Sequence, residues 1–532
     1  MPACVAEGAS AQLLAPRTRH HPLVTWCVQV FMRVSVIAFD ALVLLPACFW
    51  YFLRYQADAP RSDAKPTSTA PPTARTTPSA PSLSGDHYRW MRAGASAFIV
   101  ACCPALLVID HGHFQYNNVS LCAALVGMLA AAHDHGALAA LAFTLALNYK
   151  QIALYYAPAF FVVLLAAAVA RGTASLRARC CAARAPAPAR SRMPTPWLST
   201  LTTVACLGAI VLGVTAALWA PFCVRQAAGQ CGHGVSVVLH RLFPFNRSIF
   251  EDKVSNIWCA LDPLLRWRAR IYAGVPGVRS TVSAVCAATT LLLASPALRT
   301  LWRTARTPPP AARASPAASL RTTSLLLGFS NVSLAFFLAA YQVHEKGILF
   351  PLAPLLLCAA HVPAYAAWFN SMALFSMWPL LAKDGLLVPA AAVYTLYALL
   401  AAPAPLWRTR AFAREAALLC AWWSRDGAHS NPRTAHHTAH RTAHVLRVGC
   451  CASLAAVAAC AAASLLLTPP RTLPDLFPYA SAVAAAASLC AALCLGTCLQ
   501  AATAAAALEA EGAVATENAP LVARPRGALK EE

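Results

Sequence analysis

Two short polar strings interrupt apolar sequence and hold the side chains best suited to chemistry. The first is Asp110-His111-Gly112-His113-Phe114-Gln115-Tyr116-Asn117-Asn118, and the second, far downstream, is His344-Glu345-Lys346. Each mixes both signs of charge with amides or imidazoles, the mixture that an anionic polar substrate needs. Ionisable groups beside membrane spans are expensive to keep, so a functional role is the default reading. The bland alternative is that they mark the water boundary at a helix end. Asp110 and Glu345 are the strongest acids in these strings; each suits proton transfer, and each equally suits pairing with a neighbouring Lys or His. Arg241, Lys253, His344 and Lys346 are cations suited to charge building up on a leaving group. Gln115, Tyr116 and Asn117 suit hydroxyl-rich partners by hydrogen bonding and stacking, or else satisfy loop backbone. Of six lysines, Lys150, Lys253, Lys346 and Lys383 fall in short loops beside such strings, while the remaining linkers use arginine almost exclusively. A compact ammonium donor is the expected reason, and chance placement the alternative.

The elements that position these groups are membrane helices. The chain has 532 residues, 59% hydrophobic and only 12% charged, with mean hydropathy +0.55. Soluble domains carry about twice that charge fraction. An all-α polytopic membrane protein is expected, its helices packed on one another within lipid. The net charge of +22, from 42 basic and 20 acidic residues, lies mostly in Arg/Pro/Ala-rich linkers. It reads as positive-inside loops facing the lipid bilayer, with no nucleic acid as partner. The 21 cysteines show no paired CxxC spacing, so zinc and redox motifs are unsupported. Cys490, Cys494 and Cys498 stack on one helical face as small packing residues, and Cys180-Cys181 in an Arg-rich stretch is a candidate for palmitoylation. Residues 1–22 contain no apolar signal region.

Apolar runs measured against a spanning length give roughly thirteen candidate helices. They lie near 23–53, 94–109, 118–133, 136–148, 151–170, 198–222, 281–297, 323–341, 347–361, 363–382, 386–402, 447–468 and 477–500. The organisation expected is an amino-terminal segment at 1–22, a helix at 23–53, a disordered linker at 54–88 and a transmembrane core at 89–402. Arg-rich linkers at 171–197 and 298–322 interrupt that core. A low-complexity linker at 403–446, a helix pair at 447–500 and a tail at 501–532 complete it. The regular histidines of Arg433–His444 invite a metal reading, but a near-exact short repeat points to low-complexity expansion. If the Arg-rich linkers are cytosolic, alternation places 110–118, 149–151, 223–280, 342–346, 383–385 and 469–476 together on the opposite face. Arg266, Arg268 and Arg270 break that pattern and fit an interfacial helix.

The strings have a familiar order. DHGHFQYN at 110–117, NYKQ at 148–151, RLFPF at 241–245, FEDKV at 250–254 and VHEK at 343–346 resemble the dolichyl-phosphate-glucose-dependent α-1,3-glucosyltransferases of the endoplasmic reticulum. Two sister activities share the pattern, adding the first and the second glucose to a dolichol-linked oligosaccharide. FEDKVSNIWC at 250–259 and Gly112 look like the first-glucose enzyme. The resemblance implies a GT-C-type, metal-independent, inverting transferase without a cofactor, in the endoplasmic reticulum membrane with a lumenal active site. It implies dolichyl phosphate glucose as donor and a dolichyl-pyrophosphate-linked nine-mannose oligosaccharide as acceptor. It also implies substrate-binding duty for His111, His113, Gln115, Tyr116, Asn117, Tyr149, Lys150, Gln151, Arg241, Asp252, Lys253, His344 and Lys346, with Asp110 and Glu345 as the catalytic candidates. The family's general base is a carboxylate in the first lumenal loop. The first span here looks like the family's second, and Glu7 is the one carboxylate in residues 1–22. A missing first helix and loop, and an inactive chain, are therefore expected.

The competing readings are the sister enzyme, an inactive scaffold and a polytopic transporter with a buried proton relay. The transporter predicts polar groups near span midpoints, whereas these cluster at span ends. Three Asn-x-Ser sequons, at Asn118, Asn246 and Asn331, fall in motifs or within a span and are expected to stay unglycosylated.

Overall fold

A proline and two widened helical turns decide how the first three apolar segments enter the structure. The computed structural model describes residues 22–55, 85–113, 115–182, 196–224, 231–242, 249–250, 252–308, 310, 315–401, 409–424 and 432–517. Helix α1 (Pro22–Phe39) passes into a π-helical turn at Asp40–Leu44 and continues as α2 (Leu45–Tyr55). Pro46 cannot donate to the carbonyl four residues back, and the widened turn before it accommodates the lost bond. Helix α3 (Gly85–Ala101) returns antiparallel, with the Arg89 guanidinium on the Leu53 carbonyl at 2.7 and 3.0 Å. Pro104 then breaks the helix: Cys103 is extended at φ −55°, ψ 123°, as a residue before proline prefers. α4 (Pro104–Leu107) and a second π-helical turn, Val108–His113, leave at 47° to α3.

Two short helices follow, α5 (Asn117–Ala132) and α6 (Gly136–Tyr149). A 3₁₀ turn at Gln151–Tyr156 leads into α7 (Ala157–Ala182), and α8 (Pro196–Val224) comes next. None of the most apolar window of α8 is buried by protein, and Leu201, Leu212 and Phe222 lie bare on it. Such a surface suits lipid. After α9 (Cys231–Leu242), α10 (Ile257–Leu265) and α11 (Trp267–Tyr272) come the long α12 (Val278–Arg306) and α13 (Pro316–Ala339).

α13 is the axis of the molecule. Its most apolar window is 94% buried; Thr322, Thr323 and Ser333 donate to the carbonyls four residues back at 2.9, 3.0 and 2.9 Å, while Ser319, Ser324 and Ser330 donate to the Tyr55, Gln500 and Pro351 carbonyls of other elements. Around it pack α12, α14 (Leu349–Leu357) and α20 (Leu476–Glu517), the last making the most extensive helix–helix contact among the described residues. Asn331 donates to the Gln500 side chain at 3.1 Å, and Gln500 in turn donates to the Ala297 carbonyl at 3.1 Å, tying three helices by side-chain amides. α15 (Pro363–Ser376), α16 (Trp378–Lys383) and α17 (Leu387–Ala401) complete the core, with α18 (Thr409–Trp423) and α19 (Pro432–Leu466) outside it.

Each of the thirteen apolar segments read from the sequence is helical over most of its described length. Among the described residues seven helices are long and apolar enough to cross a membrane, or eight with the bent pair of α3 and α4; α5, α6 and α17 are shorter apolar helices. The stretches expected to be loose linkers differ from expectation wherever they are described. α7 runs on to Ala182, α12 to Arg306, and α18 and α19 occupy much of 403–446. Alanine and arginine are strong helix formers. α18 also buries Phe412, Glu415, Ala416 and Leu419 along one face. The Glu415 carboxylate accepts from the backbone of Ala364 and Tyr365 at 2.7 and 3.1 Å, capping the start of α15. Burial pushes that carboxyl up to about 7. Most of the 54–88 linker, and the segments 1–21 and 518–532, lie outside the described residues.

Candidate active site

The π-helical turn Val108–His113 carries Asp110 inward until none of it is exposed. Its carboxylate accepts from the Asn117 side chain at 2.7 Å and from the Asn118 backbone N–H. Asn117 is also the acceptor for the Lys150 ammonium, at 2.6 Å, and Lys150 donates to the Gln115 carbonyl and side chain at 2.9 and 3.4 Å. The order Lys150–Asn117–Asp110 is a directed chain, from ammonium through side-chain amide to carboxylate. It joins the NYKQ string to the DHGHFQYN string. Burial pulls the Lys150 ammonium down to about 8, opposed by Asp110 and reinforced by the positive charge of Lys346.

A carboxylate that sequence reasoning passed over completes this net. Asp40, at the first π-helical turn, binds His111 Nε2 at 2.8 Å through one oxygen and accepts from the Asn118 side chain at 2.9 Å through the other. The second ring nitrogen of His111 belongs to a side chain still 22% exposed. Ser35, a little earlier in α1, meets the Tyr116 hydroxyl at 3.0 Å. The signal was present in the sequence: one acid within an apolar run from Val34 to Phe52 satisfies the rule that singled out Asp110.

The remaining strings join the first through surface pairs. His113 binds Asp384. The neighbouring Lys383 donates to Asp252 at 3.1 Å, an interaction that holds its ammonium above the usual lysine range. Lys253 donates to Asp475 at 2.8 Å. Phe250 and Val343 form an isolated parallel bridge, and the Gln342 N–H reaches the Ile249 carbonyl at 2.8 Å, so the FEDKV and VHEK strings lie side by side. Glu345 begins a 3₁₀ turn, Glu345–Ile348, and is 7% exposed. Three bulky or polar residues here hold positive φ, Tyr116 at 53°, Asp252 at 50° and Gln342 at 62°. Backbone strain of this kind persists where surrounding contacts impose it, and it concentrates at functional sites.

Of the residues singled out in the sequence, Asp110, His111, Gln115, Asn117 and Lys150 thus form one bonded net, with Tyr116 next to it in the chain and held by Ser35. His113, Asp252 and Lys253 lie in the chain of pairs around it. His344, Glu345 and Lys346 are brought alongside by the bridge, and Lys346 acts electrostatically on Lys150. Tyr149 and Gln151 are exposed on either side of Lys150. Arg241 lies in α9 with its side chain outside the described residues, as are Phe114, Glu251 and residues 243–248. Gly112 is not forced by space: a Cβ there would meet Leu386 at an ordinary 3.5 Å. Asp384, Asp475 and Asn118 are structural partners that the sequence reading did not assign.

A polytopic helical membrane protein with one polar, strained site at the ends of its spans is the class that fold and site define. The chain belongs to the ALG6, ALG8 glycosyltransferase family, whose pattern it matches over residues 9–495. It is similar to a Drosophila melanogaster protein named probable dolichyl pyrophosphate Man9GlcNAc2 alpha-1,3-glucosyltransferase, at 34% identity over 363 residues, covering 68% of this chain and 59% of that relative. It is similar also to the Gallus gallus dolichyl pyrophosphate Man9GlcNAc2 alpha-1,3-glucosyltransferase, at 33% over 361 residues, covering 68% and 55%. The Dictyostelium discoideum relative of the same probable name is 31% identical over 372 residues, covering 69% and 57%. The matches span little more than half the length of these relatives.

Proposed function

We propose that this chain is a hexosyltransferase that moves glucose from dolichyl phosphate glucose to the terminal mannose of dolichyl-pyrophosphate-linked Man9GlcNAc2, forming an α-1,3 linkage. The observation that carries the reading is the joining of four of the family's strings, at 110–117, 148–151, 250–254 and 343–346, into one site, with Lys150, Lys253, Lys346 and Lys383 gathered at the same ends of the spans. A β-linked donor yielding an α product requires inversion by direct displacement, with dolichyl phosphate as the departing anion. His344 and Lys346 suit that developing charge. His111, oriented by Asp40, turns its second ring nitrogen toward a sugar hydroxyl. Asp110 has both oxygens engaged by Asn117 and Asn118, which favours the positioning role left open for it. Glu345 keeps proton transfer from the acceptor hydroxyl as its candidate role. The site is assigned to the lumenal side of the endoplasmic reticulum membrane, because the arginine-rich helix ends lie at the other end of the bundle.

The test is conversion of lipid-linked oligosaccharide. Microsomes from cells lacking the first glucosyltransferase, expressing the full chain, should convert the Man9 species to a monoglucosylated one, against the inactive chain expected from the sequence alone. Conversion only of a monoglucosylated acceptor to the diglucosylated form would transfer the assignment to the sister activity, and no conversion of either would refute it. Within the active preparation, His344→Ala and Lys346→Ala should each lower turnover about 10²–10³-fold, the usual loss for one preorganised donor to a developing charge.

A further inference from the structure

At the end of the bundle opposite Asp110 and Lys150, the last turns of α12, the first turn of α13 and the last turns of α20 enclose a cavity of about 560 Å³. Arg299, Arg303 and Arg321 line it, with Thr304, Thr307 and a single carboxylate, Glu511. Three guanidiniums against one carboxylate leave the cavity positive. Arg299 and Arg303 are one helical turn apart on an exposed face of α12 and give the cavity two solvent-facing charges. Arg321 is fixed: its two terminal nitrogens donate to the Ala132 and Thr307 carbonyls at 3.1 and 3.3 Å. The Nε of Arg321 is buried and finds no acceptor among the described residues, nor does the Oγ1 of Thr304, a residue only 7% exposed. Buried donors without acceptors cost free energy in proportion to what they have lost. Both residues line the cavity, and a small rotation of either side chain would present its unpaired donor to an acceptor seated there. The first turn of α13, begun by Ser315 and Pro316, adds the positive end of a 24-residue helix.

The remaining wall is apolar, from Pro296, Ala501, Ala504, Leu508 and Trp422. A positive pocket with one greasy wall, at the depth where spans end, matches a phosphate group carrying hydrocarbon. We propose that this cavity binds a phosphate ester, as on the headgroup of an anionic membrane lipid, independently of the sugar-transfer site. The two sources of that chemistry, a lipid headgroup and free phosphate, differ in whether the apolar wall is used.

Native mass spectrometry of the delipidated full chain tests this with phosphatidic acid, phosphatidylcholine and inorganic phosphate as probes. Phosphatidic acid should be retained over phosphatidylcholine. The double variant Arg299→Gln/Arg303→Gln should reduce that retention by about tenfold or more, because each cation near a headgroup contributes roughly one decade or a little less of affinity. Both side chains are exposed, so the fold does not depend on them. Arg306→Gln, one turn nearer the helix end and stacked on Trp302, should bind as the unaltered chain does. Displacement by millimolar inorganic phosphate would support the pocket with free phosphate as its source, and displacement only by lipid would support it with a headgroup. Equal retention of the two lipids without phosphate binding, or retention unchanged in the double variant, would overturn the proposal.

Discussion

Lys150 serves two demands that pull against each other. It ties Gln115 and Asn117 in place, and burial makes its charge costly to keep. With its ammonium pulled down to about 8, the charged form prevails below that pH and is lost as pH rises through it. Sugar transfer should therefore fall along an alkaline limb centred near pH 8 in kcat/KM. Lys150→Arg, whose guanidinium stays charged, should move that limb upward whatever it does to the maximum rate; coincident limbs would show that Lys150 does not govern the profile. Asp40→Asn removes the charge that orients His111 while keeping the side chain's shape. A small displacement of a substrate-facing group can cost about 10²-fold, so kcat should fall by that order with thermal unfolding unchanged, and a wild-type rate would remove Asp40 from the site. The polar strings were legible because groups that lipid penalises stand out against apolar sequence. Their partners were not, because His113 meets Asp384 across 271 positions and Lys253 meets Asp475 across 222. Chain spacing carries no trace of such pairs.

Helices were legible as apolar runs, and their interruptions only in part. Pro104 announces a break, yet the 47° bend follows from the packing of both halves, where the Cys103 thiol meets Asn370 at 3.0 Å. The widened turn at Asp40–Leu44 is marked only by Pro46 after it, and that at Val108–His113 has no comparable mark, since a π-helical turn differs from its neighbours by one shifted hydrogen bond. Helix ends within the arginine-rich stretches were hidden for another reason: composition reads as linker where alanine and arginine in fact extend helices. Close approach of α12, α13 and α20 depends on Gly328, where a Cβ would fall 2.6 Å from both Leu301 and Gln500. Gly328→Ala should destabilise by about 1–3 kcal/mol, the usual penalty of overpacking, seen as a lower thermal midpoint. Gly208→Ala on α8, where nothing lies within 4 Å, is the control. Equal midpoints for the two variants would deny the tight crossing.

The molecule as a whole is polarised. Among the described residues Lys150, Lys253, Lys346 and Lys383 gather at one end, joined there by Arg268 over the Phe250 ring, while Arg54, Arg89, Arg171, Arg303 and Arg321 gather at the other. Under the positive-inside rule the two ends face different compartments. An acceptor sequon inserted in the loop 467–475 should be glycosylated, and one inserted at 307–308 should not; the reverse pattern would invert the assigned orientation. The central position of α13 also has a consequence for biosynthesis. Its burial is shared with α20, whose first residue, Leu476, is translated long after Ala339. At ~5–20 residues per second that gap amounts to about 7–30 s. During it, a helix built for protein on nearly every side must rest against lipid or a chaperone. A ribosome that stalls before Leu476 would therefore release a chain whose central helix cannot find its socket, and membrane quality control would meet that helix first.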